Sequence, residues 1–176
     1  MAALNWHEDF ITSLAGVVRP NVYVELGLQR CALFNRLIDF SEQLIGVDIN
    51  EDSGNYMIKS PKARFFHGTT QMFAKELENN PLKIDMLFID ADHSKEAVLQ
   101  DFRDFFPFIA PHGLILLHDS HPGYTEMLQP WYCGDAYLAI EELSKETESY
   151  EMMTIPMNPG LTLCRKRKKQ LSWHEN

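Results

Sequence analysis

The chain has 176 residues, 45% of them hydrophobic and 23% charged, which suits one globular domain with a sizeable core and excludes a disordered or fibrous chain. Its formal net charge of −9 argues against nucleic acid as the main partner, because phosphate binding calls for a basic surface. Cys31, Cys133 and Cys164 are odd in number and widely spaced, giving neither a disulfide framework nor a CxxC metal pair, so a reducing compartment is expected.

Residues 1–20 are expected to form an N-terminal helix. The opening "MAALNWHEDF" carries acids where a signal peptide needs its apolar core, and no apolar run approaches bilayer length. A cytoplasmic protein with no membrane partner is the expectation. Short runs then alternate with segments of helical period. "VYVEL" from Val22, "QLIGVD" from Gln43, "ARFFHG" from Ala63, "IDMLFID" from Ile84 and "GLILLHD" from Gly113 read as strands buried on both faces, the pattern of a parallel sheet. Between them the spacing predicts helices over 32–40, 70–79 and 95–106, the last capped by Ser94. The βαβ alternation favours a doubly wound sheet.

In the C-terminal third, 136–145 reads as a helix, and "YEMMTIP" and "LTLCRK" flank "MNPG" as an antiparallel hairpin. The basic run Arg165 to Lys169 reads as the start of a solvated, mobile tail over 165–176 rather than a polyanion site. No repeat or linker divides the chain, so 1–176 is expected to be a single domain.

In such sheets ligands bind at the carboxyl ends of the strands. Here those ends carry Glu25 and Gly27, then Asp48, then Gly68 and Thr69, then Asp90, Asp92 and His93, and lastly His118, Asp119 and Ser120. Buried acids are costly unless paired, hydrogen-bonded or bound to a ligand, so their convergence on one edge is the main functional signal. Asp48 lies 21 positions after Gly27, close to the spacing at which an acid grips a ribose diol, although an acid ending a strand is also a common helix cap.

These residues resemble the class I S-adenosylmethionine-dependent methyltransferases, in particular the small O-methyltransferase-like group. "VELG" with "GVDI" is similar to the first two cofactor motifs, "DMLFIDADHSKEAVLQDF" to the fourth strand and its helix, and "PHGLILLHDS" to the turn into strand five. "YEMMTIPMNPGLTLCRKR" is similar to the final hairpin, so the resemblance spans nearly the whole chain. It implies a Rossmann-like methyltransferase fold with seven strands. It also implies that Glu25 and Gly27 approach the methionine end of S-adenosylmethionine, Asp48 the ribose, and Gly68 and Thr69 the adenine, with Asp90 bordering the cofactor. The chain departs from the family in two places: the loop reads "ELGLQRC" with Cys31 where the family has Gly or Ser, and Thr69 replaces an acid often found after strand three.

The same resemblance implies a divalent ion, Mg²⁺ or Mn²⁺, held by Asp90, His118 and Asp119, and a proton acceptor two or three places beyond Asp90, at Asp92 or His93. An unperturbed histidine titrates near neutrality, which suits a general base, while Asp92 or Ser94 could instead simply cap the next helix. His67 and His121 flank this edge; His7, His112 and His174 are expected on exposed ends or turns. Phe102, Phe105, Phe106 and Phe108 read as core. Tyr124, Met127, Trp131 and Tyr132 are expected to form an apolar lid over a small-molecule acceptor, with a homodimer partner able to complete the site. Two other readings stay open: a nucleoside-binding protein with little turnover, favoured by Cys31 and Thr69, and a nicotinamide-dependent oxidoreductase, disfavoured because the loop lacks GxGxxG.

Overall fold

The computed structural model describes residues 5–146 and 148–167. Helix α1 (Trp6–Val18) buries His7, Ile11 and Ala15, a stripe at i, i+4 and i+8. β1 (Val22–Leu26) is buried at all five positions and leads through a loop into α2 (Ala32–Arg36). β2 (Gln43–Asp48), α3 (Ser53–Tyr56), β3 (Ala63–His67), α4 (Thr70–Asn79), β4 (Ile84–Ile89) and α5 (Lys95–Phe105) follow. Then come β5 (Ile109–His118), α6 (Ala136–Leu143), β6 (Tyr150–Ile155) and β7 (Leu161–Lys166).

The seven strands lie in the order β3-β2-β1-β4-β5-β7-β6. β1 to β5 pair in parallel, and β7 runs antiparallel between β5 and β6. One face of the sheet buries Val24, Leu26, Val47 and Leu87 against Phe73, Val98, Phe102 and Phe105. The other buries Tyr23, Leu44, Met86 and Phe88 against Ile11, Leu33, Phe34 and Leu37. This is the expected doubly wound sheet with a terminal antiparallel hairpin. Chain order reverses direction between β1 and β4, where such sheets open a ligand crevice.

Several elements depart from the sequence pattern. α2 stops at Arg36 instead of Phe40, because Leu37 N–H turns to Phe34 O (3.2 Å) and Phe40 N–H to Leu37 O (3.0 Å), i to i+3 bonds that tighten the chain. Phe40 thereby comes under the Arg19 guanidinium, 5.2 Å from its ring centre. α5 gives way at Phe105 to a 3-10 turn, Phe106–Phe108, around Pro107. β3 is an edge strand with no fully buried residue, so its apolar run is not the mark of a doubly covered strand. The basic run begins inside β7, where Lys166 Nζ donates to Ile109 O (2.7 Å) and Arg165 pairs with Glu151. Residues 168–176, most of the expected tail, lie outside the described residues, as does His174. Among the described residues no helix is long and apolar enough to cross a membrane.

Candidate active site

The candidate site residues gather at the carboxyl ends of β1 to β5. At the end of β1 the chain must pass close to β4: Gly27 has φ +86, and a Cβ there would lie 2.2 Å from Asp90 O. Only glycine takes that conformation and that approach without strain. The following loop has two further left-handed residues, Gln29 (φ 46) and Cys31 (φ 55). Asp48 holds it in place. Its Oδ2 accepts from Leu28 N (2.9 Å), Gln29 N (3.1 Å) and Ser53 Oγ (3.0 Å), and its Oδ1 from Asn50 N (2.8 Å). One lone pair therefore remains on Oδ1, enough for a single ribose hydroxyl rather than a two-oxygen grip on the diol. Cys31 is fully buried and donates its thiol to Ser53 O at 3.3 Å, tying the same loop to α3.

A cleft of about 380 Å³ is bordered by Gly27, Asp48, Gly68, Thr69 and Asp90, five of the six residues expected around a cofactor. Thr69 caps α4, its hydroxyl oxygen accepting from Met72 N at 3.2 Å. Glu25 projects to the opposite face of β1, into an adjoining cleft that also meets Gly27 and Asp90. It is 3% exposed and accepts a 2.5 Å hydrogen bond from Tyr23 Oη. Burial, only partly offset by that bond, pushes its carboxyl up to about 8, so it is protonated near neutrality.

A third cleft, about 270 Å³, contains Asp90, His93, His118 and Asp119. The two carboxylates and two imidazoles form one network. His118 Nδ1 lies 2.9 Å from Asp90 Oδ1 and 3.4 Å from Asp119 Oδ1, while His93 Nδ1 lies 3.2 Å from Asp119 Oδ2 and its Nε2 3.8 Å from Asp90 Oδ1. Burial opposes charge on His118, but the facing Asp90 carboxylate outweighs it and raises the imidazole to about 9. Asp119 is 4% exposed, adopts φ 54, and is raised by burial against the pull of His118.

Asp90, His93 and Asp119 each offer a ligand atom within 4.8 Å of the others. Among the described residues His93 Nδ1 is buried without a well-aligned hydrogen bond despite its proximity to Asp119, and Ser120 Oγ has no partner. An oxygen-rich set with one imidazole and orphaned donors fits a small divalent cation. His118 stands behind this set, since both ring nitrogens are already engaged, Nδ1 with Asp90 and Nε2 with His7 Nδ1 at 3.2 Å.

His7 itself is a correction. Instead of lying on an exposed end, it is 7% exposed, its ring 4.0 Å from that of His118, and burial followed by the His118 charge lowers it to about 4. The available signal was its place in the apolar stripe with Ile11 and Ala15. Met127 likewise belongs to the core, at 1% exposure, rather than to a lid, whereas Trp131 is 80% exposed at the rim near His93. Asp92 Oδ1 accepts from Ser94 N at 2.8 Å, and the Ser94 hydrogen bonds hold its carboxyl below the usual range, so it shapes the turn into α5. Ser94 caps that helix through Ala97 N, as expected. Gly134, whose Cβ would meet His93 O at 2.3 Å, and Asp135 N–H, donating to His93 O at 3.1 Å, fix the His93 backbone. His112 is exposed; His67 contacts Ile49 O, and His121 borders a separate groove beyond β5.

Solved structures share this architecture. The O-methyltransferase TomG from Streptomyces achromogenes, in complex with S-adenosylmethionine, superposes with a TM-score of 0.72 at 13% identity, over 91% of this chain and 79% of TomG. The O-methyltransferase from Bacillus cereus, in complex with S-adenosylhomocysteine, gives 0.73 at 14% identity over 92% and 81%. The methyltransferase PaMTH1 from Podospora anserina, bound to S-adenosylhomocysteine, gives 0.74 at 13% identity over 96% and 80%. These likenesses establish the Rossmann-like methyltransferase fold. No curated protein sequence matches. The sequence model described as "Methyltransferase domain" matches residues 24–120, from β1 to the end of β5, which is more than half of the chain and includes every strand end discussed above. The chain belongs to the methyltransferase domain family.

Proposed function

We propose that the protein transfers the methyl group of S-adenosylmethionine to an oxygen of a small-molecule acceptor. One observation carries this reading: Asp90 borders the nucleoside-sized cleft, the Glu25 cleft and the His93–Asp119 cleft together, so a sulfonium near Asp90 would face an acceptor beside His93. The cofactor-bound state of the structural relatives supports it. The residues fit the cofactor, with Asp48 offering one oxygen to the ribose and Val47 and Ile49 giving apolar walls to a flat base.

His93 is the proposed base. It accepts the acceptor's hydroxyl proton, and the resulting oxyanion attacks the methyl carbon as the carbon–sulfur bond breaks, leaving S-adenosylhomocysteine. Its ring lies beside Asp119, which stabilises the imidazolium once the proton has moved. Asp92 is the weaker candidate, because the Ser94 hydrogen bonds that lower its pKa also make it a poorer base. A divalent ion held by Asp90, His93 and Asp119 would compete with the base role of His93; with Asp90 and Asp119 as its carboxylate ligands it would supply positive charge beside the acceptor oxygen. Trp131, exposed at the rim, gives a flat apolar surface for an acceptor ring. A homodimer and a cytoplasmic setting complete the proposal.

A nucleoside-binding protein with little turnover draws support from Asp48, most of whose acceptor capacity the loop already uses. Calorimetric titration with S-adenosylmethionine, S-adenosylhomocysteine and NADH, with and without Mg²⁺, separates the readings. The methyl-transfer reading expects binding of the first two, and turnover with a panel of hydroxylated aromatics that falls about 10²- to 10⁴-fold in His93→Ala. Binding of NADH alone would overturn it.

A further inference from the structure

Asp101 lies on the buried face of α5, between Val98 and Phe105, and is 2% exposed. A carboxylate in that position needs donors or a cation. Among the described residues its carboxylate receives one hydrogen bond, from Thr70 Oγ1 to Oδ1 at 2.6 Å. Its charged neighbours, Asp104 and Asp92, are acidic, and burial raises its carboxyl to about 6. A carboxylate has about four lone-pair sites, so most of this group's acceptor capacity is unused.

The side chain borders the nucleoside-sized cleft together with Gly68, Thr69 and Gln71, and its bond from Thr70 Oγ1 ties it to the start of α4. Among the described residues four carboxylates border that cleft, and three are engaged elsewhere. Asp48 holds the β1–α2 loop, Asp90 faces His118, and Asp92 shapes the turn before α5. Thr69 caps α4 through its hydroxyl oxygen and carries no charge. Ile49, 71% exposed, and Ala97 add apolar surface to the same cleft. A polar acceptor in a partly apolar cleft suits the donor edge of a flat heterocycle.

We propose that Asp101 is the base-selecting residue of this cleft, its free oxygen accepting a hydrogen from the exocyclic amino group of adenine. The inference rests on the methyl-transfer reading and assigns the base contact to α5.

Calorimetry at pH 8 tests it, using S-adenosylhomocysteine and the analogue whose base carries hydrogen in place of the amino group. The wild-type protein should bind S-adenosylhomocysteine about tenfold to hundredfold more tightly than the analogue, the range for a charge-assisted hydrogen bond. Asp101→Leu should bring that ratio close to unity by weakening the amino-bearing ligand alone, and Asp101→Asn should narrow it. A purely structural role would weaken both ligands together and leave the ratio unchanged, which overturns the inference but not the methyl-transfer reading. Should the leucine variant fail to fold, the wild-type ratio still decides, because equal affinity for the two ligands also overturns it. A wild-type protein that binds no S-adenosylhomocysteine overturns both.

Discussion

Gly27→Ala is the sharpest perturbation of the site's geometry. The glycine has φ +86, and its ideal Cβ would stand 2.2 Å from Asp90 O and 2.7 Å from Ala91 Cα, both backbone atoms that no rotamer change can move. A carbon–oxygen contact is comfortable at about 3.3 Å, so the ends of β1 and β4 must part by about 1 Å. The bonds they would strain are Gly27 N to Val47 O and Asp90 N to Leu26 O, each 2.9 Å. Left-handed strain of about 1–2 kcal/mol and overpacking of about 1–3 kcal/mol add to a loss of about 2–5 kcal/mol. For a domain of this size that is a fall in Tm of about 4–20 °C. Gly16→Ala is the control: it lies in α1, its Cβ would touch Phe40 at an ordinary 3.6 Å, and alanine should stabilise the helix by up to about 1 kcal/mol. Thermal melts of both variants decide the matter. A Gly27→Ala protein melting within about 2 °C of wild type refutes the claim that close approach of β1 to β4 dictates the residue.

Glu25 predicts a pH dependence. Its folded pKa of about 8 lies above the ordinary 4.5, so the folded state binds this proton more tightly, and the associated stability is complete below about pH 4.5 and lost as pH rises towards 8. Glu25→Gln should match wild type in urea at pH 5 and exceed it at pH 8.5, by on the order of a few kcal/mol; equal stability at both values would mean that Glu25 ionises freely. Asp119→Asn should abolish binding of Mn²⁺ measured by calorimetry while changing S-adenosylhomocysteine affinity less than about threefold, and asparagine tolerates the left-handed backbone there. Unaltered Mn²⁺ binding would remove Asp119 from the ligand set. Cys31→Gly exchanges a buried thiol for relief of a φ of 55, and should be at least as stable as Cys31→Ala, which loses the thiol contact and keeps the strain. An alanine variant melting well above the glycine one contradicts this.

Strand ends and alternation were legible because each depends on local pattern. Asp48, Asp90 and Asp119 close apolar runs, and the sheet gathers them on one edge as parallel pairing requires. What a side chain does at that edge depends on partners distant in sequence. His7 and His118 meet across 111 positions, through packing of α1 on the sheet. Asp48 lies next to its loop only because β1 and β2 pair in a register that puts Leu26 opposite Val47. Asp101 stands on a helix and not at a strand end, and only its place between Val98 and Phe105 marks it in the sequence as a charge on a buried helical face.

The β1–α2 loop shows why glycine count is a poor guide to ligand. In a dinucleotide fold the amides at the start of this loop and helix face a pyrophosphate. Here the amides of Leu28 and Gln29 face Asp48 Oδ2, so an anion already fills the position from within the chain. A phosphate brought to those amides would have to displace a carboxylate and repel it at the same time. A ligand with a sulfonium and an amino-acid tail has no phosphate to bring to those amides, and Asp90 borders the adjoining cleft where its positive charge can lie. The missing glycines remove freedom that only a pyrophosphate would need, and Cys31, bonded to Ser53 O, puts that position to use in anchoring the loop.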